Sequence, residues 1–161
     1  MDAEWVQTCV GKIVTNLQSI EFAMRLFLSE SVGPVDTSLH LDRVKVGDTV
    51  TEGHLTNYDT LGVVIRKMNA RLEELGAAER VDESIVATRD GLAHGRVFTT
   101  DPSVPHRLVK FDRPKDGQVP VAMVLDLTEE WLRNEVARTG GELLKVVAIG
   151  RQLGLPCFPD D

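Results

Sequence analysis

Apolar residues recur at steps of three and four along the start of the chain, at Trp5, Cys9, Ile13, Leu17, Ile20, Met24, Phe27 and Leu28. That spacing lays them on one stripe of a helix and predicts a long first helix from Asp2 to about Ser31, stopped by Gly33-Pro34. From Val32 to Gly53 the β-branched residues, glycines and acids hold no sustained period, so this stretch reads as a connection with at most one short irregular helix. A second helix is expected from around Thr56, with Leu61, Val64, Ile65, Met68, Leu72 and Leu75 as its stripe and Gly76 as its cap. A third is expected from about Glu79 to His94, using Val81, Ile85, Val86 and Leu92, with Gly95 as its stop.

After Gly95 the period changes to two, in Arg96-Val97-Phe98-Thr99, in Arg107 to Phe111 and in Val121 to Leu125. Turn-rich Asp101-Pro102-Ser103 and Pro114-Lys115-Asp116-Gly117 separate these runs, which predicts an antiparallel hairpin or three-stranded ribbon. Thr128 then suits an N-cap followed by Glu129 and Glu130, and Trp131, Val136, Leu143, Val147 and Leu153 form a fourth stripe. Gly140-Gly141 inside it marks a kink or a break. Gly154-Leu155-Pro156 ends the structure, and Pro159-Asp160-Asp161 is expected to be a frayed tail. The fold class read from this pattern is mainly α. It is an antiparallel four- to five-helix bundle, a single domain over residues 1–161 with the β insertion at about 96–126.

Composition narrows the function. The chain has 161 residues, 42% of them hydrophobic and 27% charged, enough apolar material for one core. No apolar run reaches the roughly 20 residues that span a bilayer, and Met1-Asp2-Ala3-Glu4-Trp5 lacks the basic-then-apolar order of a secretory signal, so a cytoplasmic protein without a membrane contact is expected. Cys9 and Cys157 lie in no metal-ligand spacing and are expected to be reduced, and His40, His54 and His106 show none either. No metal and no cofactor is called for. A net charge of −7 argues against a domain-wide nucleic-acid surface. Yet between Arg89 and Lys115 six basic residues face three acidic ones, so this segment is locally +3.

Within it lies Thr88-Arg89-Asp90-Gly91-Leu92-Ala93-His94-Gly95-Arg96. This segment resembles the signature of HEPN domains, in which an Arg followed by a polar residue is separated from a His by four to six positions near a helix end. Here the spacing is four, the polar residue is Asp90, and Asn16 to Phe22 is similar to the opening helix of such bundles. The resemblance implies a metal-independent endoribonuclease of the toxin or defence kind. Its cleft would be shared by two protomers of a homodimer, with Arg89, His94 and Asp90 as the catalytic group. It also implies products ending in a 2′,3′-cyclic phosphate and a 5′-hydroxyl, and the possible partners are an antitoxin or a neighbouring nucleotidyltransferase.

The chemistry is consistent with that implication. An imidazole can take a proton from a 2′-hydroxyl or give one to a leaving 5′-oxygen. A guanidinium stays charged and can hold the phosphate. Arg96, Arg107 and Lys110 are the candidates for gripping the RNA backbone. Gly95 is expected in the left-handed region, letting the chain turn sharply away from His94. Three alternatives stay open: Arg89 is a structural cation paired with Glu21 or Asp82 and His94 only a polar C-terminal cap, the chain is a non-catalytic HEPN-like module that dimerises or binds RNA or a nucleotide without cleaving it, or it is the regulatory partner of a neighbouring nucleotidyltransferase.

Overall fold

The computed structural model describes residues 2–32, 41–101 and 103–159. Among them helix α1 spans Ala3–Val32, α2 Leu61–Glu74, α3 Ile85–His94 and α4 Glu129–Gln152, and strands β1 Arg96–Phe98, β2 His106–Phe111 and β3 Val121–Leu127 lie between α3 and α4. The chain is mainly helical, with a small three-stranded antiparallel sheet of order β1-β2-β3 before the last helix. The expected stop at Gly33-Pro34 and the first part of the following connection, His40 included, lie outside the described residues. Residues fall into two compact units, each made of two separate segments: Met1–Gln18 with Ser84–Leu143, and Ser19–Glu83 with Leu144–Asp161.

The unit that carries the sheet buries Val6, Cys9, Ile13 and Leu17 of α1, Ile85 of α3, Leu108 and Leu127 of the strands, and Leu132 of α4. Each large aliphatic side chain so buried contributes roughly 1.5–3 kcal/mol. Asp116 and Gly117 both take positive φ, at 51° and 76°, in the two-residue turn that joins β2 to β3. Such a turn matches the twist of a hairpin, and Asp-Gly is among the pairs that adopt it readily. The register slips between Lys110 and Phe111, where Ala122 is the extra residue of a bulge.

The fourth stripe differs from the expected one. The buried positions of α4 in this unit are Leu132, Glu135, Thr139 and Glu142, whereas Trp131, Val136 and Leu143 are only half-buried. Polar residues occupy the inner face, so a hydrophobic period points to the neighbouring line. Thr139 shows how such a face is satisfied: its hydroxyl donates to Glu135 O at 2.8 Å and accepts from Asn16 Nδ2 at 3.1 Å. Helix α4 runs unbroken through Gly140-Gly141. Thr128 does cap it, its Oγ1 accepting from Trp131 N–H at 3.1 Å.

The second unit buries Ile20, Met24, Phe27 and Leu28 of α1 with Leu61, Val64, Ile65, Met68 and Leu72 of α2, the stripes read from the sequence except for Leu75, which follows the helix end and is exposed. Gly76 caps α2 at φ 73°, with Ala77 N–H reaching Leu72 O and Gly76 N–H reaching Glu73 O. Helix α2 starts at Leu61 rather than near Thr56, and Arg25 supplies the reason. Its buried guanidinium takes His54 O at 2.9 Å, Asn57 Oδ1 at 2.8 Å and Asp59 O at 2.6 Å, while Glu21 balances its charge at 2.8 Å. The carbonyls that a longer helix would use are held by Arg25 instead. Helix α3 likewise starts at Ile85 rather than Glu79. Asn69 holds Val81 N–H at 2.8 Å and Val81 O at 3.0 Å, which keeps that residue out of a helix.

Past Gly154 the chain is still packed, and Asp160 and Asp161 of the tail expected to fray lie outside the described residues. The chain turns back, with Leu155 N–H on Gly150 O and Phe158 N–H on Leu155 O, and Phe158 lies on Gly150, where any Cβ would clash with its ring. The same return places Cys157 beside Glu30, whose carboxylate also accepts the Cys157 N–H at 3.0 Å. The hydrogen bond and negative charge of Glu30, together with partial burial, push the Cys157 thiol up to about 11. Both cysteines are free thiols, Cys9 buried and Cys157 exposed. At pH 8 Cys157 is expected to alkylate with iodoacetamide about 100-fold more slowly than an unhindered thiol, and Glu30→Gln to restore most of the rate. Alkylation of the wild type at the ordinary rate would show that Glu30 has no such hold.

Candidate functional site

Helix α3 places the sequence-predicted residues. His94 is its last residue and is exposed, and among the described residues no side-chain hydrogen bond or ion pair holds it. Asp90 and His94 are four apart and so share one side of α3, with Cβ atoms about 5–6 Å apart on an ideal helix. Arg89 lies five positions before His94, about 140° around the axis and about 7.5 Å along it. Arg89 therefore reaches the same helix end from another direction.

Asp90 is the hub. One carboxylate oxygen stands 3.4 Å from Arg89 Nη1 and the other 3.5 Å from Lys110 Nζ of β2. These are long contacts between half-exposed side chains, worth about 0–1 kcal/mol each. The two cations thus stay available to an incoming anion, and a phosphate could take the place that Asp90 occupies between them. Glu21, a conceivable partner of Arg89, is engaged with Arg25 instead. The structure brings Arg89, Asp90 and Lys110 together at the turn before His94.

Arg96 and Arg107 sit elsewhere. Leu108 touches the positions of both Gly91 and Gly95, so His106, Leu108 and Lys110 face α3 while Arg107, Val109 and Phe111 face away. Arg96 is the register partner of Val109 and lies with its guanidinium 5.0 Å over the Phe111 ring. Arg107 is the register partner of Asp126 and binds it at 2.7 Å. The hydrogen bond from Arg107 and, less strongly, its charge hold Asp126 below the ordinary 3.8, against some desolvation. A depressed carboxylate pKa adds stability above the unfolded value and loses it as pH falls through the folded one. Asp126 is accordingly expected to titrate below 3.8 by carboxyl NMR, and Arg107→Gln to move its midpoint upward. A midpoint indifferent to Arg107 would rule that coupling out.

Gly95 is not left-handed. Its φ is −80° and ψ 170°, and its N–H donates to Gly91 O at 2.7 Å. Glycine is needed there for room, because a Cβ would collide with Gly91 O and Leu108. Gly91 is also tight, a Cβ falling 3.0 Å from Met123 Sδ and 3.1 Å from Leu108 Cδ2. The two glycines of the motif let the sheet press onto α3 and set where His94 emerges.

Sequence reasoning missed the residues that anchor α3 from the α4 side. Thr88 Oγ1 donates to Glu135 Oε1 at 2.7 Å, and Arg138 reaches Glu135 Oε2 at 3.0 Å, Thr88 Oγ1 at 3.0 Å and Ser84 Oγ at 2.6 Å. Glu135 and Arg138 lie three apart on a helix and read as an ordinary surface pair. Only the neighbouring hydroxyl of Thr88, next in the chain to Arg89, shows otherwise.

Comparison with known proteins finds no matching family model, no matching curated protein and no matching solved structure. Among the described residues no helix is long and apolar enough to cross a membrane, and no group of three or more His, Cys, Asp or Glu could hold a metal ion.

Proposed function

We propose that this chain is a HEPN-like helical bundle acting in the cytoplasm as a metal-independent endoribonuclease of the toxin or defence kind. The observation that carries the reading is an accessible imidazole at the end of α3, one turn after a cluster in which Arg89 and Lys110 share a single carboxylate. In this reading His94 takes the proton of a 2′-hydroxyl, and the oxygen attacks the adjacent phosphorus. The bond from phosphorus to the 5′-oxygen breaks, and that oxygen takes a proton from the His94 of a second copy across a homodimer cleft. A 2′,3′-cyclic phosphate and a 5′-hydroxyl result. Arg89 holds the phosphoryl oxygens as charge builds, and Asp90 orients Arg89. Lys110 adds a further positive charge from β2. An antitoxin or a nucleotidyltransferase is the partner class that such an enzyme would have.

The test is incubation of mixed RNA with the protein in EDTA, beside Arg89→Ala and His94→Ala. Cleavage that survives chelation and disappears in both variants supports the enzyme. No cleavage by the wild type at any concentration leaves a binding or dimerisation module in its place.

A further inference from the structure

The side of the sheet turned away from α3 is unlike the rest of this acidic chain. Register and pleat put Phe98 and Arg96 of β1, Arg107 and Phe111 of β2, and Val121 and Val124 of β3 on that side. Phe98 is 45% exposed, Phe111 38%, and each of the two valines 55%. Phe98 pairs with Arg107 and Phe111 lies four residues further along β2, so the two phenyl groups sit about 14 Å apart along the strands. Arg96 stands between them, stacked on Phe111 at 5.0 Å. A flat guanidinium flanked by exposed phenyl rings offers successive π-faces of the kind that bases stack on.

Charge selects among possible occupants. This side carries Arg96 and Arg107 against a single acid, Asp126, which Arg107 binds, on a chain whose net charge is −7. A second copy on this face would set Arg96 and Arg107 against themselves. An apolar partner would strip water from Arg96 with no anion in return. A polyanion with π-faced bases satisfies both the rings and the cations. Strand β1 begins two residues after His94, so a chain laid along it passes within about 7 Å of path from that residue.

We propose that this outer sheet face is a stacking platform for single-stranded RNA, holding the polymer that His94 and Arg89 cleave. The choice of RNA rests on the function proposed above, but binding can be measured without cleavage. The probe is a 5′-labelled 2′-O-methyl oligouridine of about 12 nucleotides, which has no free 2′-hydroxyl to attack. Fluorescence anisotropy is expected to show Phe98→Ala and Phe111→Ala each weakening the complex by about 5- to 100-fold. The tryptophan variants at either position should hold it. Arg96→Gln should lower the slope of log affinity against log salt by about 0.7. Tyr58→Ala, a fully exposed ring off the sheet, should bind as the wild type does. The platform is overturned if the wild type binds nothing, if the two alanine variants match it, or if oligothymidine binds as tightly as the RNA probe. It is also overturned if those variants change only the sedimentation of the protein, which would assign the face to a second copy. Cleavage in EDTA, read separately with unmodified RNA, then stands or falls by itself.

Discussion

The His94→Ala variant is expected to cleave RNA in EDTA about 10²–10⁴-fold more slowly than the wild type, the usual range for losing a positioned acid–base group. The substitution is at an exposed position, so stability should change by no more than about 0.5 kcal/mol and an unchanged melting curve is part of the prediction. Arg89→Ala should lose about 10²–10³-fold, as for a group that stabilises developing charge. Arg89→Lys tests the geometry: a point charge replaces a planar fork, so recovery should be partial only. Asp90→Asn should act in the same direction with a smaller effect, because Asp90 orients cations that already stand at the site. Wild-type rates in the folded His94→Ala protein would end the assignment of general acid–base chemistry to this residue.

Glu135→Ala should lower stability by about 3 kcal/mol, the low end of the cost of breaking a buried ion pair from one side. The Glu135 side chain is 8% exposed and that of Arg138 31%, so Arg138 recovers part of its hydration when the carboxylate is removed. Thr88 Oγ1 loses its acceptor at the same time. For a chain of this size the melting temperature should fall by roughly 6–12 °C. Glu135→Leu combined with Arg138→Met should be much closer to the wild type, because replacing both partners leaves no uncompensated charge. A fall of less than about 2 °C for Glu135→Ala would show that this network does not hold α3 against α4. Because Thr88 precedes Arg89, the single variant should also reduce cleavage while the protein remains folded.

How far each element could be read depends on what its pattern measures. The stripes of α1 and α2 were legible residue by residue, from Ile13 to Leu28 and from Leu61 to Leu72, because burial of aliphatic side chains sets a period that sequence displays directly. The ribbon was legible from its alternation and from Asp116-Gly117. Element starts were not. Arg25 and Asn69 each tie down backbone from a distant part of the chain, across 29 to 34 residues for Arg25 and 12 for Asn69. No local propensity reports such a bond. The face of α4 was hidden for a related reason: Glu135, Thr139 and Glu142 are buried, and a hydrophobic count treats them as solvent-facing.

The same division runs through the candidate site. Arg89, Asp90 and His94 could be picked out because one short segment, Thr88 to Arg96, carries all three. Grouping Arg96 and Arg107 with Lys110 could not be judged from a line of residues, since alternation along β2 and the register of β1 decide which side of the sheet each occupies. Sequence alone determined which segments are helix and ribbon and which short motif gathers a guanidinium, a carboxylate and an imidazole, since both follow from residues close together in the chain. Tertiary structure decided that Lys110 joins Asp90, that Arg96 and Arg107 share the far side with Phe98 and Phe111, and that Gly95 is there for space. These depend on contacts between residues far apart in the chain, whose energies no local period records.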